Sequence, residues 1–192
     1  MERLSWSQKL ERSLMEFAGE EICQAVMQGG EGMRSADTPG RKADWVRERM
    51  ARLDAQVPDL ETRRRILQAC SCNFQKRKDG ARKLYLQAGD VDGFLELLAG
   101  QRWIFGGVLE QEADGRLYAV YTRCDCGWVK SAKAPISGTY CMCAEGYLSG
   151  IFSAAVGKPV GVELEESIIQ GAESCRFRVM LEDNPSTILA EQ

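Results

Sequence analysis

The sequence predicts an α+β fold: a helical N-terminal half packed with a short antiparallel β-sheet in a ββ-α-ββ order. Two observations carry this. Apolar residues recur at helical spacing through roughly the first hundred positions, and from Gln101 the pattern changes to short alternating runs divided by turn residues. Helices and strands segregated along the chain, rather than alternating, favour an antiparallel sheet over a parallel one.

The elements follow in order. Leu4, Leu10, Leu14, Phe17, Ile22 and Val26 define an amphipathic helix over 4–28. GGEGMRSADTPGRK (29–42) is a Gly/Pro/polar break. A second helix is expected from about Lys42 to Gln56. Pro58 and Asp59 start a third, which carries Leu60, Ile66 and Leu67 towards Cys70. Two shorter helices are expected over 76–87 and 91–99, closed by Gly100. RWIFGGVLE and LYAVYTRCDCGWVK read as strands joined by the Asp114-Gly115 turn. A helix over 144–157 ends at Gly157-Lys158-Pro159. VGVELEES and SCRFRVML then supply two more strands around a turn at Gln170-Gly171. This divides the chain into a helical region, 1–100, and an α+β cysteine-containing region, 101–192, which together form one compact domain.

The chain has 192 residues, enough for one well-buried core. Charged residues make up 28%, with a net charge of -3 and a pI near 5.3, which argues against a dedicated nucleic-acid binder. No apolar run approaches the roughly 18 residues needed to span a bilayer, and the start lacks a signal-peptide core. The expected location is the cytoplasm, without membrane association. Thiols stay reduced there, so eight cysteines read as metal-binding or redox-active before they read as disulfides.

Six of those cysteines form three Cys-x-Cys doublets, Cys70/Cys72, Cys124/Cys126 and Cys141/Cys143, in a chain without histidine. Thiolate is a soft metal ligand and a strong nucleophile. The missing histidine excludes Cys-His dyads, Ser-His-Asp triads and His-ligated catalytic zinc. On a strand, Cys124 and Cys126 would point to one face and Asp125 to the other. Cys141 and Cys143 precede the 144–157 helix, whose N-terminal dipole would favour thiolate. A hairpin-like return over the fourteen residues between the doublets would bring four sulfurs to about 2.3 Å from one zinc ion. Cys70 and Cys72 would close or flank that site. The alternative is that these are buried core cysteines, and Cys-x-Cys is a tighter chelate than the spacings of familiar zinc sites. Cys23 and Cys175 read as core residues by pattern.

A basic stretch of Arg63, Arg64, Arg65, Lys76, Arg77, Lys78, Arg82 and Lys83 surrounds the first doublet. It reads as a solvated helical face, or as a means of lowering thiol pKa values or attracting an anionic ligand. Glu163, Glu165 and Glu166, with Asp125 and Glu145, could serve as bases or oxygen ligands, although strand-edge carboxylates are usually only solvated. No phosphate-binding glycine loop occurs. Trp103, Phe105, Trp128, Tyr140, Tyr147 and Phe152 could line an apolar pocket, with core packing as the default reading.

The segment 141–181 combines a cysteine-led helix of small residues, an acidic strand, and Gly171, Cys175 and Phe177 in a Gly-x-x-x-Cys-x-Phe pattern. In this it resembles the carboxyl-terminal part of 4-vinyl reductase-type domains, small-molecule-binding domains of bacterial and archaeal regulators and pigment biosynthesis proteins. A similar tail occurs in uncharacterised bacterial proteins, some described as L-2-amino-thiazoline-4-carboxylic acid hydrolase-like. The resemblance implies a fold like that of heme-nitric oxide-binding domains and TRAPP subunits, with a ligand cavity and cysteines that hold zinc. Ser167 departs from it, standing where some members carry another cysteine. The absence of histidine removes proximal-His heme ligation.

The leading expectation is a cytoplasmic sensor or accessory protein that binds a small molecule or a metal, zinc above all, acting as a homodimer or with a partner protein. The alternatives are a histidine-free cysteine hydrolase or reductase, and an iron-sulfur or redox-switch protein.

Overall fold

The computed structural model describes residues 5–29, 33–34, 36–72, 74–124 and 126–181. Among these, seven α-helices and a four-stranded antiparallel sheet form an α+β fold. The chain divides into two compact units that interleave in sequence rather than following one another. The first takes the described residues up to Ser71, then Cys124–Gly146 and Ser167–Ala172. The second takes Cys72–Arg123, Tyr147–Glu166 and the described residues from Glu173.

The first unit is helical. Helix α1 (Trp6–Phe17) begins at a capping box, in which Ser5 Oγ accepts from Gln8 N–H and the Gln8 side chain accepts from Ser5 N–H. The single helix expected over 4–28 is instead two. Gly19 takes φ +85°, a conformation L side chains rarely adopt, and α2 (Glu20–Met27) starts after it. The expected break at 29–42 lies partly outside the described residues. Within it, Thr38 caps α3 (Pro39–Gln56), which starts three residues earlier than the pattern indicated because Pro39 fits the first turn. Asp59 caps α4 (Leu60–Ala69), accepting from Thr62 N–H at 2.7 Å. Leu10, Leu14, Val26, Val46, Met50, Leu53, Ile66 and Leu67 form its fully buried core. Later chain returns as a 3₁₀ turn (Gly138–Cys141), residues 142–146 of helix α7 (Met142–Val156), and a short 3₁₀ turn at Ile168–Gln170.

The second unit pairs α5 (Gln75–Ala88) with α6 (Val91–Ala99) across Gly89, which is left-handed, and Asp90, which caps α6. Its strands are β1 (Val108–Gln111), β2 (Leu117–Tyr121), β3 (Gly161–Glu166) and β4 (Cys175–Met180), in the order β1-β2-β4-β3. Cys175, Phe177 and Val179 alternate inward as their period-2 spacing indicates. On the other face Arg176 reaches Glu110 and Glu112, both at 2.7 Å, and its guanidinium lies 3.6 Å from the centre of the Tyr118 ring.

Two strand expectations are corrected. Residues 102–104 form a turn, 105–107 are irregular, and β1 begins only at Val108. Cys124 and Cys126 are not on a strand: β2 stops at Tyr121, whose partner Cys175 is the first residue of β4, so the ladder has no further residue to pair with. The expected orientation of Asp125 lies outside the described residues.

Candidate functional site

The first unit gathers thiols around one phenol. Its 3₁₀ turn is pinned by polar contacts: Thr139 Oγ1 donates to Asp54 Oδ1 at 2.7 Å, and Arg63 Nη1 lies 2.5 Å from the same oxygen. Both partners sit on the long helices α3 and α4, which fixes the next residue, Tyr140. Only 2% of Tyr140 is exposed, and its ring centroid lies 5.0 Å from that of Trp6. Trp6 in turn touches Trp45 at 6.1 Å and Trp128 at 5.7 Å.

The Tyr140 hydroxyl lies 2.9 Å from Cys126 Sγ. Burial, and then Cys143, Cys126 and Cys141, hold its pKa well above the ordinary tyrosine value. Three sulfurs therefore act on one oxygen. Tyr140 stays a neutral O–H, able to donate to a sulfur and to strengthen that bond if the sulfur is deprotonated. Cys141 Sγ also lies 3.2 Å from the buried Ser167 hydroxyl, so the departure noted at Ser167 falls directly on this cluster. Cys124, Cys126 and Cys143 are half-buried.

Below the thiols, Glu145 anchors the first turn of α7. It is fully buried and accepts from Arg64 Nε at 3.0 Å and Gln68 Nε2 at 3.1 Å. Neighbouring Gly146 allows the close approach, because a Cβ there would lie 2.6 Å from the Gln68 carbonyl oxygen. The carboxylate entertained as a base is thus bound into a clamp between α4 and α7.

The remaining candidates lie elsewhere. Cys70 is wholly buried in the first unit, its Sγ 3.2 Å from the Ile66 carbonyl and 3.3 Å from Ser13 Oγ. Burial pushes its thiol up to about 12. Cys72 is exposed and belongs to the second unit. Cys23 and Cys175 are buried, as their patterns indicated. No two of the eight cysteines form a disulfide. Among the described residues, no three cysteine, aspartate or glutamate side chains are grouped so as to hold a metal ion.

The basic stretch is mostly structural. Arg63 and Arg64 make the pairs described above, and Arg65 lies over the Phe17 ring. Arg77 donates to Tyr147 Oη at 2.8 Å, and Arg82 to the Ala155 carbonyl at 2.7 Å. Glu163, Glu165 and Glu166 are exposed along β3. The aromatic residues do not line one pocket. Trp128 and Tyr140 belong to the thiol cluster, Phe105 and Phe152 are buried together in the second unit, and Trp103 is exposed. Trp6 and Trp45 complete the cluster from helices whose apolar spacing gave no sign of it.

A family of unknown function (DUF6144) matches residues 7–186, and the chain belongs to that family. No curated protein matches it. Among solved structures it is similar to the phenol-responsive sensory domain of the transcription activator PoxR with phenol, at 18% identity. That match covers 83% of this chain and 84% of the other with a TM-score of 0.36, and nothing is carried from it to this chain. Among the described residues no helix is long and apolar enough to cross a membrane.

Proposed function

We propose that this member of the family is a sensor or accessory protein whose thiols take up a soft ligand, a small molecule or a metal ion, beside Tyr140. The observation that supports it is the buried Tyr140 hydroxyl 2.9 Å from Cys126 Sγ, with Cys141 and Cys143 following it directly in the chain. A neutral hydroxyl beside a sulfur is a hydrogen-bond donor for a thiolate, and thiolate is the form that binds soft metals and attacks electrophiles. The likeness of residues 141–181 to 4-vinyl reductase-type domains agrees with a small-molecule role. Cytoplasmic residence, where thiols stay reduced, belongs to the same proposal.

Zinc suits the donor chemistry but not the donor arrangement. As placed, Cys141 engages Ser167 and Cys126 engages Tyr140, and among the described residues no three ligands are grouped. Zinc loading on Cys124, Cys126, Cys141 and Cys143 would therefore call for side-chain rearrangement, and an iron-sulfur cluster for more.

The Trp6 ring against Tyr140 supplies the readout. Cd²⁺, a thiophilic probe, is titrated into reduced protein while thiolate-metal absorption and tryptophan fluorescence are followed. The wild type should saturate near one equivalent, and Cys126→Ser and Cys143→Ser should each bind about tenfold more weakly or worse. Uptake unchanged by either substitution, or no uptake by the wild type, would refute the metal-binding form. Labelling with N-ethylmaleimide tests the electrophile form: modification confined to exposed Cys72 would refute it as well.

A further inference from the structure

We propose that the second unit binds a small planar aromatic anion, of the arylcarboxylate class, in the cleft between α5 and the turn Gln101–Ile104. The cleft measures about 420 Å³, within the range of small-ligand pockets. It shares no residue with the thiol cluster, so the inference stands apart from the function proposed above.

Trp103 forms one wall and is 53% exposed, the one aromatic among the exposed large hydrophobic residues described. An indole left in water is costly, and here it is also held in place. Its Nε1 donates to Gln101 Oε1 at 3.0 Å. The turn beneath it is closed by Ile104 N–H and Phe105 N–H, both donating to the Gln101 carbonyl. The Ile104 carbonyl accepts from Tyr147 O–H at 3.1 Å, which ties the turn to α7. An exposed aromatic on a fixed backbone is a preformed stacking surface.

Helix α5 supplies the facing wall. Gly80 lies in its interior, where glycine costs roughly 1 kcal/mol against alanine. The space explains it: a Cβ there would lie 2.6 Å from Trp103 Cη2 and 2.9 Å from Ile104 Cδ1. Lys76 and Lys83 line the same cleft, at the i−4 and i+3 positions around Gly80, so both belong to the face on which the indole rests. Neither has an ion pair or hydrogen bond among the described residues. Asp79 contributes one negative charge and accepts from Gln75 Nε2 at 2.8 Å, which leaves the two ammonium groups in excess. The first turn of α5 adds to the positive potential, since Phe74 offers no side-chain cap and no acidic residue offsets the dipole. A flat apolar surface flanked by two cations matches a ligand with an aromatic body and an anionic edge.

The probe is 2-naphthoate, with 2-naphthamide as its neutral isostere, measured on the full chain by equilibrium dialysis. One equivalent of naphthoate should bind saturably, and the amide at least about tenfold more weakly. The double variant Lys76→Gln/Lys83→Gln, altered only at exposed positions, should lose about tenfold or more in naphthoate affinity. Cys126→Ser should bind naphthoate as the wild type does, which separates this site from the thiols. The proposal is overturned by any of four results: no saturable naphthoate binding, equal binding of acid and amide, an unaffected double variant, or a single-stranded oligonucleotide that binds the cleft more tightly than naphthoate.

Discussion

Cys70 and Cys141 are both buried in the first unit, and each begins a Cys-x-Cys doublet, yet they occupy opposite ends of helices. Cys70 follows the last residue of α4 and directs its sulfur towards the Ile66 carbonyl one turn back. That end of a helix is rich in unpaired acceptors and carries the negative end of the dipole, so the sulfur is favoured as S–H. Cys141 precedes α7, where N–H groups and the positive end of the dipole favour negative charge, and it meets hydroxyl oxygens rather than a carbonyl. The same two-residue spacing thus sets one buried sulfur against a carbonyl and the other against a hydroxyl. Burial is the main cause of the raised Cys70 thiol, and the direction of the adjoining helix acts in the same sense.

The comparison can be broken in four ways, the largest effect first. With its thiol near 12 rather than 9, Cys70 should have about 1000-fold less thiolate at neutral pH than an unperturbed cysteine. Iodoacetamide labelling followed by peptide mass mapping should therefore find Cys70 modified about 1000-fold more slowly in the folded protein than in urea, and rates within tenfold of each other would remove the distinction. The same shift makes stability depend on alkali. The folded pKa is raised, so the stabilisation is complete below pH 9 and is lost as pH climbs from 9 through about 12. Its full size is about 4 kcal/mol, and Cys70→Ala should flatten the decline seen in urea unfolding across that range.

Glu145→Ala should cost about 3 kcal/mol, because it leaves the partly buried Arg64 without its inner partner and loosens the turn that carries Cys143. A drop below about 1 kcal/mol in the same urea assay would mean that the clamp does not set the site. Smallest is Tyr140→Phe, which keeps the ring against Trp6 and removes only the hydroxyl, for about 1 kcal/mol. A double-mutant cycle with Cys126→Ala should recover most of that as coupling energy. Strict additivity would show that the sulfur and the phenol do not interact.

The parts that could be read in advance were those governed by neighbours in sequence. Asp114-Gly115 marked the hairpin and Asp90 and Gly100 bracketed α6, because turns and caps are satisfied within a few residues. The doublet at Cys124 was misplaced on a strand because LYAVYTRC keeps a strand composition past the point where the ladder ends. Only the start of β4 at Cys175, far along the chain, determines that end. The split at Gly19 was masked by apolar spacing that continues across it. Cys126 lies against Tyr140, the residue just before the doublet at Cys141, a tyrosine that its sequence context marks only as an apolar lining residue. Trp6 could not have been linked to Tyr140, since that contact spans most of the chain and leaves no periodic trace.

The interleaving of the two units has a consequence for the order of synthesis. The chain passes from one unit to the other at 71/72, 123/124, 146/147, 166/167 and 172/173. A ribosome that has released only the first seventy residues has made four helices whose companion segments do not yet exist. Cys70 can be covered early, by Ser13 and the turn of its own helix, whereas Cys126, Cys141 and Cys143 are made more than fifty residues later. Closure across such separations is slow relative to local helix formation. The first unit's core therefore stays incomplete until Ala172 has been made, and its four early helices wait meanwhile for the turn that carries Tyr140.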